Sequence, residues 1–190
     1  MTFTFASNLQ EHQLLFRNIT ALEPMVNEAS DLIARAFTSG NKLMLCGNGG
    51  SAADCQHIAA EMTGRFIKDR MPLPAIALTT DTSALTCIAN DYSFEDIFAR
   101  QIGALGRSED VLIAISTSGN SGNVIQAMHV AKEIGIKVIA LSGRDGGQMK
   151  SLADLLILVP SKTTARIQEA HIFIGHMICG LVEKNLGLVN

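Results

Sequence analysis

One pattern recurs along the chain and limits its fold more than any other feature: a short apolar run, a loop, and then a helical stretch. The apolar runs cover residues 42–46, 75–78, 110–115, 136–141 and 155–159. Short apolar runs that alternate with helices are typical of buried parallel strands joined by right-handed crossovers. The sequence therefore predicts an α/β fold with a doubly wound, five-stranded parallel sheet flanked by helices.

Two further helices are predicted ahead of the first strand. Apolar residues recur at helical spacing from residue 7 to about residue 38, and Pro24 separates the two segments. We interpret residues 1–40 as an N-terminal helical extension that packs on the core. The 190 residues fit one domain, and with 47% apolar but only 5% aromatic residues its core must consist mainly of aliphatic side chains.

The loop after the first strand is rich in glycine. It reads CGNGGS, in which Gly49 and Gly50 allow a positive φ and close approach of the backbone to a ligand. Ser51 can cap the following helix or donate its hydroxyl to an anion at the helix N-terminus. Glycine turns between a strand and a helix also occur without any ligand, so this loop alone leaves phosphate binding open.

The loop after the third strand is rich in hydroxyl groups. It reads STSGNSG from residue 116, with four hydroxyls within six residues. Serine and threonine also occupy ordinary turns, but hydroxyls at the ligand end of a parallel strand favour anion binding. No GxxxxGK[ST] motif occurs and CGNGGS does not match GxGxxG, so we expect a compact phosphate rather than a nucleotide.

Two helices carry groups suited to proton or metal chemistry. His57 and Glu61 are four residues apart, which places both on one helix face near the first loop, although a surface pair would have the same spacing. The last helix, from about residue 163 to 184, contributes Gln168, His171 and His176. Spacing alone does not choose between the two histidines, and either could be a core residue.

Together these side chains have the chemistry of a zinc or other divalent metal site built from two helices. They also suit aldose/ketose interconversion, which needs one group to remove a proton beside the carbonyl and another to move a proton on oxygen. A carboxylate and an imidazole can supply both functions.

Four segments together resemble the phosphoheptose isomerases of the SIS (sugar isomerase) domain family: CGNGGSAADCQHIAAEMTGRF, AIALTTDTSALTCIAND, ISTSGNSGNVIQA and ARIQEAHIFIGH. The resemblance implies a single SIS domain over residues 1–190. It implies conversion of sedoheptulose 7-phosphate to D-glycero-D-manno-heptose 7-phosphate, a step toward the heptose of lipopolysaccharide. It further implies a homotetramer whose subunits share active sites and whose N-terminal helices lie in the interface.

The resemblance also implies roles for individual residues. Zinc, one ion per subunit, would be held by His57, Glu61, Gln168 and His176, and Glu61 and His176 would be the catalytic acid and base. Phosphate-binding residues would be Ser51, Ser116, Ser118 and Ser121, and residues lining the sugar would be Asn48, Gly49, Gly50, Glu61, Asn90, Asp91, Thr117 and Gln168. Ala165 departs from the acidic residue expected in some members, which removes one expected sugar contact.

The main alternative is a non-catalytic SIS protein resembling the DnaA initiator-associating factor, which acts as a protein-binding adaptor. That relative lacks the equivalents of Glu61 and His176, so their joint presence favours the enzyme. A sugar-phosphate-sensing regulator is disfavoured because the sequence contains no recognisable DNA-binding domain.

Charge and composition limit the remaining possibilities. A net charge of -3 provides no global field for a polyanion, so nucleic acid is not an expected partner. No window approaches the roughly 20 apolar residues of a membrane span, and no signal peptide is recognisable, so we expect a cytoplasmic protein. The four cysteines show no CxxC spacing, and we expect buried, reduced thiols at Cys46, Cys55, Cys87 and Cys179.

Overall fold

The centre of the computed structural model, which describes residues 4–189, is a five-stranded parallel sheet. Its strands are β1 (Leu43–Gly47), β2 (Ala75–Ala77), β3 (Val111–Ser116), β4 (Lys137–Gly143) and β5 (Leu155–Val159). All four neighbouring pairs are parallel. The predicted fold class is confirmed, and each predicted apolar run agrees with its strand to within two residues at either end.

Seven helices surround the sheet in the described part of the chain: α1 (Phe5–Asn18), α2 (Glu23–Thr38), α3 (Gly50–Thr63), α4 (Thr82–Asp91), α5 (Ala99–Leu105), α6 (Gly122–Ile134) and α7 (Thr164–Asn185). A 3-10 turn separates α1 from α2, and Pro24 lies in the first turn of α2, where a missing N–H is tolerated. Residues 1–3 of the predicted extension lie outside the described residues.

Helix α5 was not predicted from the sequence. It has only seven residues and no side-chain cap at its N-terminus. Its buried apolar contacts come from Ile102 and from Ile97 and Phe98 just before it. A helix of two turns is too short to give a periodic pattern, so the crossover from β2 to β3 contains one helix more than the sequence indicates.

The strand order is β2-β1-β3-β4-β5, which places the two loop-bearing strands next to each other. From β1 the chain moves outward to β2 and then crosses back to β3 on the other side of β1. The order therefore reverses between β1 and β3, and ligands of doubly wound sheets bind at such a point. The glycine-rich and hydroxyl-rich loops follow these two strands.

Side chains alternate between two core layers, one on each face of the sheet. Leu43 and Leu45 of β1 pack in the layer that also contains buried residues of α2, α3 and α7. Met44 and Cys46 pack in the opposite layer, with buried residues of α6 and Ile102 of α5. Because α3 and α7 cover the same face, the two helices with candidate catalytic residues are neighbours.

Three of the four cysteines are buried as expected, and one is not. Burial raises the pKa of Cys46 and of Cys179 to about 12, and Cys55 is also enclosed in the core. The prediction for Cys87 was wrong: its thiol is exposed because it does not lie on the partly buried face of α4 that packs on the core. Among the described residues, no helix has the length and apolar character needed to span a bilayer.

Candidate active site

Helices α3 and α7 bring two imidazoles and a carboxylate together. The Nε2 atom of His57 lies 3.3 Å from Oε1 of Glu61 and 3.4 Å from Nε2 of His176. One potential ligand atom from each of the three residues lies within 4.8 Å of the other two. The structure thus assembles three of the four predicted metal ligands, and it favours His176 over His171 as the histidine of the site.

Close contact between the two helices explains this convergence. A Cβ atom on Gly175 would lie 2.6 Å from Cδ1 of Ile58, a distance that real side chains do not tolerate. Ile58 follows His57 in the sequence, and Gly175 precedes His176. The absent side chain at Gly175 therefore allows α7 to approach α3 at the level of the two imidazoles.

Gln168 lies two turns before His176 on α7 and packs at the start of α3. A Cβ atom on Gly50 would lie 2.4 Å from Nε2 of Gln168, so only glycine leaves room for this amide. The amide is thereby placed against the glycine-rich loop, whose Gly49 has a φ of +57°. A role for Gln168 as the fourth metal ligand or as a sugar contact stays a prediction.

The hydroxyl-rich loop gathers three serines at the start of α6. The Oγ atom of Ser116 lies 2.8 Å from that of Ser121 and 3.4 Å from that of Ser118. The backbone N–H of Asn120 donates to Oγ of Ser118 at 3.2 Å. Clustered hydroxyls at the N-terminus of a 13-residue helix form a favourable environment for an anion.

The loop after β4 fixes the conformation of this serine cluster. Gly119 has a φ of +68°, and a Cβ atom there would lie 2.0 Å from the carbonyl oxygen of Gly146. The hydroxyl of Ser142 donates to the carbonyl oxygen of Ser116 at 3.0 Å. The backbone N–H of Met149 donates to the carbonyl oxygen of Gly119 at 3.1 Å. The serines are therefore held by contacts from a neighbouring strand and its loop.

An asparagine pair joins the two loops. Asn48 of the glycine-rich loop and Asn123 of α6 exchange two amide hydrogen bonds, each 2.8 Å long. Asn123 is buried, and the sequence analysis assigned it no function although it directly follows the STSGNSG loop. The pair aligns the two loops. Its hydrogen bonds engage the side-chain amide of Asn48, a residue that was predicted to line the sugar.

The remaining predicted residues lie around these groups. Ser51 is buried in the first turn of α3, and Thr117 follows β3 directly and is half-buried. Asn90 and Asp91 end α4 in solvent, where the amide of Asn90 donates to the carboxylate of Asp91 at 2.8 Å. This hydrogen bond lowers the pKa of Asp91. In residues 4–189 no hydrogen bond or ion pair links the Asn90–Asp91 pair to the three converging residues or to the serines.

Two residues beside the site clarify what the sequence left open. His171 is fully buried, its Nε2 lies 3.2 Å from the carbonyl oxygen of Ser142, and burial lowers its pKa to about 4, so it is a neutral core histidine. Asp54, one turn before His57, was missed. Burial raises the pKa of Asp54, whereas the nearby His57 and His176 act to lower it. One of the two carboxylate oxygens of Asp54 is buried without a hydrogen bond.

Comparison with known proteins agrees with the fold and this geometry. The sequence profile of the SIS domain matches residues 9–143. The chain is 50% identical over 182 residues to the phosphoheptose isomerase of Helicobacter pylori strain P12, covering 96% of this chain and 95% of the relative. The chain belongs to the phosphoheptose isomerase family. Its predicted family and enzyme class are confirmed.

Solved structures of phosphoheptose isomerases share the fold. GmhA from Neisseria gonorrhoeae is 48% identical with a TM-score of 0.88, and the Francisella tularensis protein is 36% identical with a TM-score of 0.92. Each comparison covers 94% of this chain and 96% of the other. All three relatives are isomerases by name, which favours the enzyme over the adaptor interpretation.

Proposed function

We propose that this phosphoheptose isomerase interconverts sedoheptulose 7-phosphate and D-glycero-D-manno-heptose 7-phosphate. The observation that carries the proposal is the meeting of the Glu61 carboxylate with the His57 and His176 imidazoles at the point where α3 and α7 touch. The neighbouring loops supply an anion site, and the relatives are named for a heptose phosphate.

The phosphate end of the sugar would bind the serine cluster. The Ser116 hydroxyl contacts those of Ser118 and Ser121, and Ser51 adds a fourth hydroxyl at the start of α3. Two helix N-termini, those of α3 and α6, contribute partial positive charge. Anchoring one end of a flexible sugar in this way holds its carbonyl end in position for reaction. Sugar hydroxyls would contact the predicted residues Asn48, Gly49, Gly50, Asn90, Asp91, Thr117 and Gln168.

The chemistry needs only proton transfers. Converting the ketose to the aldose moves a hydrogen from C1 to C2 and a proton from O1 to O2, so no oxidant or reductant is consumed. A carboxylate and an imidazole whose ligand atoms lie within 4.8 Å of each other can remove and return both protons. We assign this work to Glu61 and His176.

The donor set also fits zinc, and we propose one ion per subunit. Ligand atoms about 2.0–2.1 Å from a tetrahedral zinc ion lie about 3.4 Å from one another. The distances from Nε2 of His57 to Glu61 and His176, 3.3 and 3.4 Å, match this spacing. His57, Glu61 and His176 would hold the ion with Gln168 as a fourth ligand. When bound, the ion would polarise a sugar oxygen as a Lewis acid.

We further propose the homotetramer, with the N-terminal helices in its interface. In its support, large apolar side chains are exposed on α1 and α7, among them Leu14, Phe173 and Met177. An apolar groove of about 260 Å³ lies between α1, α2 and α7. Sharing of active sites between subunits, a cytoplasmic location and a function in lipopolysaccharide synthesis stay predictions.

The direct test is turnover of sedoheptulose 7-phosphate by wild type and by Glu61→Gln. The variant keeps the volume of the side chain but removes the carboxylate, so we expect kcat to fall at least about 100-fold while the fold and phosphate binding persist. Glu133→Gln, an equally conservative change on the exposed end of α6, is the matched control. Undiminished turnover in Glu61→Gln would refute the role of Glu61, and an inactive wild type would refute the substrate.

A further inference from the structure

The segment that follows α3 contacts both helices of the site. We propose that Glu183, Arg70 and Phe66 form a brace that sets the positions of Glu61 and His176 relative to each other. The inference deepens the proposed function and rests on it, because it takes these two residues as the acid and base. The three brace residues are positioning residues and do not touch substrate.

Glu183 is the centre of the brace. It lies on α7 two turns beyond His176, and its side chain is fully buried. Its carboxylate accepts hydrogen bonds from the backbone N–H groups of Phe66 at 3.0 Å and Ile67 at 3.1 Å, and from Nε of Arg70 at 2.8 Å. Burial acts to raise the pKa of Glu183, but these hydrogen bonds outweigh it and keep the pKa below its ordinary value. The carboxylate therefore stays charged and fixes the segment to α7.

Arg70 connects the same carboxylate to the end of α3. Its Nη2 donates to the carbonyl oxygen of Glu61 at 2.7 Å, and its Nη1 donates to those of Met62 at 2.7 Å and Gly64 at 2.9 Å. Carbonyl groups in the last turn of a helix lack partners within the helix, and a cation satisfies them and interacts favourably with the helix dipole. Arg70 thus holds the backbone of Glu61 at a set distance from α7.

Phe66 connects the carboxylate to the imidazole of His176. The two rings are stacked, with centroids 5.5 Å apart and planes inclined by 19°. The His57 ring meets the His176 ring edge-on, with centroids 4.9 Å apart. The His176 ring therefore lies between Phe66 and His57. Since Glu183 holds the backbone of Phe66, this stacking is fixed relative to the helix that carries His176.

The energetics favour a positioning role over one in stability alone. Charged pairs that are buried as deeply as Arg70 and Glu183, 3% and 0% exposed at their side chains, seldom stabilise a fold more than apolar residues of the same volume would. Their directional hydrogen bonds do specify geometry. In an active site, an error of about 1 Å can lower the rate about 100-fold.

The test uses Phe66→Leu in the full-length chain. This variant keeps the backbone N–H that donates to Glu183 and an apolar side chain on the core, and it removes the ring stacked on His176. We expect kcat for sedoheptulose 7-phosphate to fall about tenfold or more, with KM within about twofold of wild type. Phe66→Tyr, which keeps the ring, should have a kcat close to that of wild type. Phe37→Leu, a half-buried residue of α2 packed on the same core layer, is the control and should leave kcat unchanged.

Combination with His176→Gln separates positioning from general structure. If Phe66 acts through His176, Phe66→Leu should cause no further loss of kcat in that background. An equal loss in both backgrounds, or a wild-type kcat in Phe66→Leu alone, would overturn the inference.

A second readout does not depend on turnover. The His176 ring protons should shift in the NMR spectrum of Phe66→Leu, because the ring current of Phe66 is lost. Inactivity of wild type would refute the proposed function only, whereas unchanged His176 resonances would refute the brace itself. Glu183→Gln is the less suitable variant, because the loss of a buried charge beside Arg70 threatens folding.

Discussion

Individual glycines determine how closely the helices of the site approach each other. Gly175 leaves the space that Ile58 occupies, and Gly50 leaves the space that the amide of Gln168 occupies. At both positions the neighbouring atoms are side-chain atoms of the other helix, so a larger residue would force the side chain of Ile58 or Gln168 to move. The spacing of Glu61 and His176 therefore depends on side chains that are absent as well as on those present.

Gly175→Ala tests this dependence. Alanine favours a helix over glycine, but here its Cβ would overlap Ile58, and forced overpacking costs about 1–3 kcal/mol. Gly103→Ala on α5 is the matched control, because no atom lies within 4 Å of its Cβ position. Denaturant unfolding should find Gly175→Ala less stable than Gly103→Ala by about 1–3 kcal/mol, with a lower kcat. Equal stabilities of the two variants would contradict the close contact.

The sequence indicated the three converging residues more readily than the residues around them. The spacing of His57 and Glu61 was sufficient to place both on one helix face, since a helix repeats every 3.6 residues. It did not choose between His171 and His176, because both fall in an apolar helix and only the packing against β4 shows which one is buried. Asn123 was missed for the same reason, since its hydrogen bonds are to Asn48 of another segment. Asp54 was missed because only the packing shows that its carboxylate is partly buried and near His176.

At the scale of secondary structure elements, an acidic residue fastens the starts of β1 and β3. Asp110 is fully buried and accepts hydrogen bonds from the backbone N–H groups of Lys42 and Arg107, from the Lys42 ammonium group and from the Asn41 amide. Burial acts to raise its pKa, but these hydrogen bonds outweigh it and hold the pKa below the ordinary value of 3.8. The ionised form is thus favoured by the fold.

The pH dependence of stability should reveal this carboxylate. A carboxyl group with a lowered pKa stabilises the fold above its unfolded pKa, and that stabilisation is lost as the pH falls through the folded pKa. At pH 7, Asp110→Asn should therefore reduce the free energy of unfolding by at least about 2 kcal/mol. The difference from wild type should shrink as the pH falls below about 4.

Urea unfolding at each pH, with the exposed Asp69→Asn as control, measures the difference. A difference that stays constant down to acid pH would show that the charge of Asp110 does not matter.

The elements differ in how well the sequence predicts them. The strands were located to within two residues because strands buried on both faces are continuous apolar runs bounded by polar loops. Helix α5 was missed because seven residues give no measurable period. The exposure of Cys87 was missed because the helical pattern of α4 did not show which of its faces packs on the core.

At the scale of the whole molecule, the strand order explains why the two loops meet. The sequence indicated five strands but not their order, which depends on contacts between residues far apart in the chain. With β1 beside β3, the glycine-rich and hydroxyl-rich loops share one edge of the sheet, and α3 and α7 share one face. The proposed phosphate anchor and the proposed acid/base pair therefore come from four different segments.

Assembly is a second property of the whole molecule that the sequence did not establish from the residues themselves. If the exposed apolar surface of α1 lies in the proposed tetramer, Leu14→Glu should dissociate it, because Leu14 is 62% exposed and a charge would be buried on assembly. Leu105→Glu, on α5 and 44% exposed, is the control on the other face of the sheet.

Light scattering coupled to size-exclusion chromatography should give wild type and the control about four times the 20.3 kDa of the chain, and less for Leu14→Glu. A monomeric wild type, or a Leu14→Glu variant that stays tetrameric, would contradict the interface.

If Glu61 and His176 isomerise the sugar by moving protons, the product formed in D₂O should carry solvent deuterium. The experiment is turnover of sedoheptulose 7-phosphate in D₂O, with NMR detection of the aldose product. The side chains of His57 and Glu61 are 48% and 25% exposed, so a proton held at this site can exchange with solvent. We expect deuterium at C2 of the product with wild type, and product formed at least about 100-fold more slowly with Glu61→Gln. A product that carries only protium at C2, as in direct hydride transfer, would contradict proton transfer.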